Sequence, residues 1–297
     1  MKLWILAFLV SGTMSVSVQA VGQPQAQLKS SPSCVMSDDV SAAIHGFLQA
    51  SSSVGYRGTM LVEYGGDREF IAVHADPESG QNALKRLNQS AGAAPRLVAS
   101  SPRVSNGPCD LARHYGLVLE PGMAVAGRAT YRLSARPRDT LRLAYVMDID
   151  SEFHVPLRVL AASPDGKILE RYEFAEIALE AKPAAPKPEP TTADIGDTKG
   201  DVPRYFLAAI PPGFKVVDQG RRPVDFLVLS DGLASVSIFI EEQPRSLPSG
   251  EGFALRGATL TYNRGIAKQR LVTVLGEVPI TTARLLAEAL RARGETQ

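Results

Sequence analysis

The sequence predicts an α+β protein of two domains, each organised around an antiparallel sheet. Three observations carry that expectation. Short runs rich in Val, Ile, Leu, Tyr and Phe recur with turn residues between them, the pattern of hairpin-connected strands. Helical stripes of apolar residues stand out only near the start of the first half and at the end of the second. A Pro-rich interval, residues 181–200, parts two strand-rich halves of a 297-residue chain, which is long enough for two domains.

Composition narrows the function classes. Lys and Arg number 32 against 31 Asp and Glu, a net charge of +1. That balance argues against nucleic acid as a partner, which would call for a marked basic excess.

Residues 1–20 read as a signal peptide. Lys2 supplies the positive start, Leu3 to Val10 an apolar stretch too short to span a bilayer, and Val18-Gln19-Ala20 a small-x-small cleavage site. The expectation is an exported periplasmic protein starting at Val21. Ser31-Pro32-Ser33 lacks the lipobox expected before a lipidated Cys34. An oxidising compartment would favour a disulfide between Cys34 and Cys109, the two cysteines of the chain. The alternative is two unpaired thiols, since spacing alone does not bring their Cα atoms together.

Residues 21–36 read as a flexible N-terminal segment, and 37–180 as the first domain. Ser37 is placed to cap a helix whose start carries Asp38 and Asp39 and whose stripe is Val40, Ile44, Phe47 and Leu48. Gly55 marks its exit. Tyr56 to Tyr64 and Arg68 to Ala75 read as strands joined by Gly65-Gly66-Asp67. Asn82 to Leu87 reads as a short helix, Arg96 to Ala99 as a strand, and Leu111 to Tyr115 as a helical turn. Strands are expected at Ala129 to Ala135, Leu141 to Ile149, Pro156 to Ala162 and, after the turn Pro164-Asp165-Gly166, Lys167 to Leu179.

Residues 201–297 read as the second, smaller domain. Its centre is Leu227 to Ile240, where Asp231-Gly232 suits a two-residue type I′ turn. That turn would oppose Ser230 to Leu233, Val228 to Ser235 and Phe226 to Ser237. One face would then hold Leu227, Leu229, Ala234, Val236 and Ile238, and the other Val224, Phe226, Val228, Ser235, Ser237 and Phe239. The second face mixes apolar and hydroxyl groups, suited to a second core layer or to docking a partner. Ala258 to Tyr262 and Gln269 to Leu275 read as further strands. After Pro279 a helix carries Ala283, Leu286, Ala287 and Leu290 on one stripe, expected to cover the apolar hairpin face.

Enzyme motifs are absent from the sequence, which points to a non-enzyme without cofactor or metal. His45, His74, His114 and His154 have no ligand spacing. Asp148 and Asp150 read as a charged strand end rather than a cation site. Arg128, Arg132, Arg136 and Arg138, with Arg142 beyond, crowd one stretch. They read either as a clamp for an anionic ligand or as a solvated face offset by carboxylates.

The stretches SDGLASVSIFIE and LVTVLGEVPITTARLLAEAL resemble the C-terminal domain of the RseB/MucB family of periplasmic regulators. The first half resembles the family's N-terminal domain at Tyr56-Arg57-Gly58-Thr59, Val125-Ala126-Gly127-Arg128, Ala135 to Asp139 and Leu169 to Phe174. Residues 74–109 look short and divergent beside the family pattern. The resemblance implies a first domain shaped as a LolA-like curved antiparallel half-barrel with covering helices, and a partner-binding second domain. It implies negative regulation of an extracytoplasmic-function sigma factor. The partner would be the periplasmic domain of a transmembrane anti-sigma factor of the RseA/MucA kind, protected from site-one proteolysis until envelope stress, such as mislocalised lipopolysaccharide, releases it. Phe226, Val228, Ser235, Ser237 and Phe239 are the expected partner-binding side chains. The alternative is a periplasmic carrier of lipid acyl chains or lipoproteins using the first domain. A homo-oligomer remains open.

Overall fold

A computed structural model of the chain describes residues 34, 36–77, 81–88, 107–181, 203–221, 223–244, 250–266 and 269–293. The signal-peptide segment, the strand expected at Arg96 to Ala99 and the Pro-rich interval after Ala181 lie outside the described residues. Cys34 onward forms one compact unit.

The first sheet has eight antiparallel strands. They are β1 Val54–Tyr64, β2 Asp67–Asp76, β3 Gln81–Arg86, β4 Tyr115–Pro121, β5 Thr130–Pro137, β6 Ala144–Asp150, β7 Pro156–Ala162 and β8 Ile168–Ala181, in the order β3-β2-β1-β8-β7-β6-β5-β4. The sheet is open, since its end strands β3 and β4 do not meet. Helix α1, Asp38–Ser53, lays Ile44, Phe47 and Ala50 into a core with Met60, Val73, Leu133, Met147, Leu157 and Phe174. Ser37 holds the N-cap position, but its side chain makes no capping bond. Tyr64 opposes Asp67, so Gly65 and Gly66 form a two-residue turn with positive φ at both, 56° and 92°. Only glycine takes that pair of conformations without steric cost.

Two segments depart from expectation. Residues 81–86 form strand β3 rather than a helix, because the open edge of β2 offers a ladder that weak local helix preference does not outweigh. Strand β4 was not foreseen. It follows α2, Pro108–His114, and pairs with β5 from Tyr131 to Pro137. Cys34 and Cys109 are joined in a disulfide with Cα atoms 5.5 Å apart, fastening the entry of α1 to the start of α2.

The second sheet is antiparallel in the order β10-β11-β12-β15-β14-β13. Its strands are β10 Lys215–Arg221, β11 Asp225–Ser230, β12 Ser235–Glu242, β13 Glu251–Arg256, β14 Thr259–Ile266 and β15 Arg270–Gly276. A short pair, β9 Tyr205–Leu207 with β16 Leu290–Ala292, brings the two ends of this half together. Helix α3, Ile280–Ala289, packs Ala283, Leu286 and Ala287 on Leu227, Val236, Ile238, Tyr262 and Val274, the hairpin face expected to receive it.

The central hairpin turns differently from the expected two-residue I′ turn. Ser230 opposes Ser235, Val228 opposes Ser237 and Phe226 opposes Phe239, so the loop has four residues, 231–234. The register is displaced by two residues. A displacement of one would exchange the faces; a displacement of two preserves them. Leu227, Leu229, Ala234, Val236 and Ile238 are accordingly all buried.

Candidate functional site

The central hairpin contributes to two surfaces of the second sheet. The first is the sheet face turned away from α3. Phe226 lies opposite Phe239 and Val228 opposite Ser237. The same face continues through Thr273 opposite Phe239 and Leu275 opposite Ser237. Thr273 Oγ1 donates to Asn263 Oδ1 at 2.8 Å. These residues are half-buried, and Phe226, Val228 and Phe239 take no part in the core cluster on the other side. All five expected partner-binding side chains, Ser235 included, fall on this one face.

The second surface is the hairpin tip, which docks on the first sheet. Asp231 shapes its own loop: Oδ1 accepts from the N–H of Leu233 at 3.0 Å and of Ala234 at 2.8 Å. Its Oδ2 accepts from Tyr115 Oη at 2.8 Å and Arg142 Nη1 at 3.3 Å. Both side chains of the Arg142–Asp231 pair are 0% exposed. Arg142 also donates to Asp139 at 3.2 Å and to the Pro212 carbonyl, and its guanidinium lies over the rings of Tyr115 and Phe214. Each nitrogen of the guanidinium therefore has an acceptor, Nε from Asp139 in the first half and the two Nη from Asp231 and Pro212 in the second. Leu233 packs into the first sheet's core, as does Ala258. Gly213, at φ +86°, brings its turn onto the His114 ring, where a Cβ would lie 2.5 Å from the ring.

Around this hub the docking is polar. Thr282 Oγ1 donates to the Leu141 carbonyl at 2.6 Å, and Lys215 Nζ pairs with Asp110 at 2.9 Å. Arg256 reaches Tyr64 Oη and Glu69 Oε1, each at 2.6 Å. Two carboxyls lie here, Glu170 buried and Glu277 half-buried. Glu170 accepts from the Ala258 N–H at 2.9 Å, and Glu277 from Tyr145 Oη at 3.3 Å. Burial pushes Glu277 well above the usual carboxylate range, and the nearby Glu170 and Asp231 add to it, outweighing the Tyr145 hydrogen bond. Burial likewise raises Glu170.

A carboxyl raised in this way holds its proton more tightly when folded. Its contribution to stability is fully present below the unfolded value of about 4.3 and is lost as pH rises through the folded value. Glu277→Gln removes the ionisation and keeps the shape. The variant is expected to match or fall below the parent in melting temperature at about pH 4, and to exceed it by a few degrees at about pH 8. A difference that stays constant with pH would refute the raised Glu277 carboxyl.

Both halves of the chain match one set of relatives. Residues 73–193 match the MucB/RseB N-terminal domain, and residues 200–291 the MucB/RseB C-terminal domain. The chain belongs to the MucB/RseB family. Among its relatives is the sigma factor AlgU regulatory protein MucB of Pseudomonas aeruginosa, 27% identical over 294 residues that span 87% of this chain and 93% of that one. The sigma-E factor regulatory protein RseB of Escherichia coli is 24% identical over 61% of this chain and 60% of its own length. The crystal structure of MucB superposes with a TM-score of 0.64 at 25% identity, covering 86% of this chain and 99% of that one. MucB in complex with MucA(peri) gives 0.61 at the same identity and coverage.

In this MucB/RseB chain the arginine cluster does not assemble into a single anion clamp. Arg132 pairs with Asp148 at 2.8 Å, and Arg128 with Asp150 and, at 3.1 Å, Glu152. Arg138 donates to the carbonyls of Ala112 and Tyr115, while Arg136 stands exposed opposite Gly116. The reason is register: β6 sets Asp148 directly opposite Arg132, and β7 sets Arg158 on its other side. Asp148 and Asp150 are thus buried counter-ions, not a cation site. Burial alone would raise Asp150, but Arg128 and the N–H groups of Phe153 and Glu152 hold it below its ordinary value. An open groove of about 600 Å³ beside this ladder is lined by Arg68, Arg132, Arg158 and Arg171 and also by Glu63 and Asp67. Among the described residues no helix is long and apolar enough to cross a membrane. The signal for the Arg142–Asp231 hub lay in the sequence as an arginine within an apolar stretch and an Asp in a turn, but nothing in their spacing of 89 positions joins them.

Proposed function

We propose that the chain is exported to the periplasm and cleaved after Ala20. There it acts as a negative regulator of an extracytoplasmic-function sigma factor. It binds the periplasmic domain of the transmembrane anti-sigma factor and shields it from site-one proteolysis until envelope stress releases it. The observation that carries this reading is the match across both sheets to MucB held with MucA(peri). The reading is of a binding protein rather than an enzyme. It is supported by the regulatory names of the relatives and by a sequence without catalytic motifs.

An extended segment of the anti-sigma factor docks across the face of Phe226, Val228, Ser235, Ser237 and Phe239. Half-buried aromatics there supply contact area, and the serines supply hydrogen bonds to a peptide backbone. Calorimetric titration of the exported protein with the periplasmic domain of the organism's own anti-sigma factor tests the reading. Saturable binding at micromolar affinity or better is expected. Phe239→Glu, which places a charge among Phe226 and Thr273, is expected to weaken it at least tenfold with a native circular dichroism spectrum. No heat with the parent protein would reject the regulator; full affinity in the folded variant would reject this face alone.

A further inference from the structure

Of the four histidines, all within the described residues, His114 alone lies between the two sheets. His154 Nδ1 sits 3.0 Å from Tyr131 Oη, His45 is exposed on α1 with Nε2 2.9 Å from Gln49, and His74 is exposed on β2. His114 is half-buried in the last turn of α2, and the turn 211–214 of the second half lies on its ring. A Cβ on Gly213 would fall 2.5 Å from the ring Cδ2 and 2.6 Å from Nε2. The same turn also meets Arg142, which donates to the Pro212 carbonyl and lies over the Phe214 ring. Phe214 belongs to the second sheet's core, so the turn is fixed to that sheet and moves with it. The charges around the ring are already matched without it. Asp139 and Asp231 hold Arg142 at 3.2 and 3.3 Å, and Asp110 holds Lys215 at 2.9 Å and Arg113 at 2.8 Å. Arg138 is engaged with the Ala112 and Tyr115 carbonyls, and the Tyr115 hydroxyl with Asp231. Among the described residues no side chain bonds to a nitrogen of the His114 ring.

We propose that His114 is an acid-sensitive latch: protonation of its ring sets an unmatched cation beside the buried Arg142 and loosens the docking of turn 211–214, and with it the second sheet, on the first. The device is a property of the fold and does not depend on which partner the protein binds. Burial, and then the Arg142 charge, hold the ring below the ordinary histidine value of about 6.5, against the pull of Asp139, Asp231 and Asp110. The docked state thus binds fewer protons at this ring than the undocked one. The contribution of His114 to docking is fully present above about pH 6.5 and is lost as pH falls from there to the lower folded value. Glu170 and Glu277, raised in the same interface, act with the opposite sign, so the latch is read by difference from a variant without the ring.

Proton NMR of the exported protein is expected to show the His114 ring titrating with a midpoint below about 6.5. Hydrogen exchange reads the docking itself at two amides in the interface, Ala234 in the buried loop tip and Ala258, whose N–H donates to Glu170 at 2.9 Å. Referred to intrinsic rates, their protection is expected to fall severalfold from about pH 7.5 to about pH 5.5, one proton changing the equilibrium by at most about tenfold per pH unit. His114→Gln, neutral throughout, is expected to keep its protection over that range. His114→Arg, charged throughout, is expected to have lost it already at about pH 7.5. A ring midpoint at or above the ordinary value, parent protection that does not change, a Gln variant that loosens with acid as the parent does, or an Arg variant as protected as the parent would each overturn the proposal. The ring midpoint needs no variant and decides even if a substitution unfolds the chain.

Discussion

Asp231→Ala is expected to lower the unfolding free energy by about 3–5 kcal/mol, the range for removing one member of a buried ion pair. Three losses coincide. Arg142 keeps only Asp139 as a carboxylate partner, the Tyr115 hydroxyl loses its acceptor, and the N–H groups of Leu233 and Ala234 lose theirs. The size of the effect comes from burial rather than from the pairing itself. Exposed ion pairs contribute about 0–1 kcal/mol, whereas a charge stranded out of water costs several times that. Arg142→Met should be damaging for the converse reason. Asp231→Asn keeps an oxygen for the loop N–H groups, so Arg142→Met combined with Asp231→Asn should cost less than the two single changes added together. Denaturant titration at neutral pH compares the parent with all four variants. A loss below about 1 kcal/mol for Asp231→Ala would mean that the site opens to water and that the hub is not what joins the sheets.

Reduction of the Cys34–Cys109 disulfide is expected to cost roughly 4 kcal/mol. The bridge spans 75 positions, and the chain-entropy relation for a loop of that length gives a value of this order. The bridge ties the entry of α1 to α2. Asp110, the next residue of α2, pairs with Lys215 of the second sheet, and Tyr115 directly beyond α2 reaches Asp231. Loosening α2 therefore reaches the docking of the two sheets as well as the first core. Guanidinium titration with and without a dithiol reductant checks this, with a chain carrying Cys34→Ala and Cys109→Ala as the control that the reductant should not affect. Equal midpoints for oxidised and reduced protein would show that the bridge constrains little.

Much of this architecture is legible in the sequence because it is written in local periodicity. The stripe of α1, the Gly65-Gly66 turn, strand β7 and the α3 stripe need only neighbours within a few residues. The same applies to the two faces of the central hairpin. The errors fall where the deciding partner is distant. Residues 81–86 become a strand because β2 has a free edge, and β4 and β13 are strands because β5 and β14 lie beside them. The hairpin loop opens to four residues because Asp231 is drawn to Tyr115 and Arg142, over a hundred and nearly ninety positions away in sequence. Asp-Gly is a sound signal for a tight turn when its carboxylate is free to serve the turn alone. Here that carboxylate serves two sheets. The arginine cluster illustrates the same limit: its residues are neighbours in sequence, but the carboxylates that neutralise them come from paired strands.

The parity of the hairpin has a bearing on how this segment can change over evolutionary time. Insertion or deletion of residue pairs in the loop 231–234 leaves Leu227, Leu229, Val236 and Ile238 turned toward α3 and Phe226 and Phe239 turned away. A single-residue change would invert one strand against the other, turning Ser237 and Phe239 of β12 toward α3 and Val236 and Ile238 away from it. Length variation here is thus filtered by odd and even steps before any side chain is tested, and Asp231 must survive at whatever position still reaches Arg142.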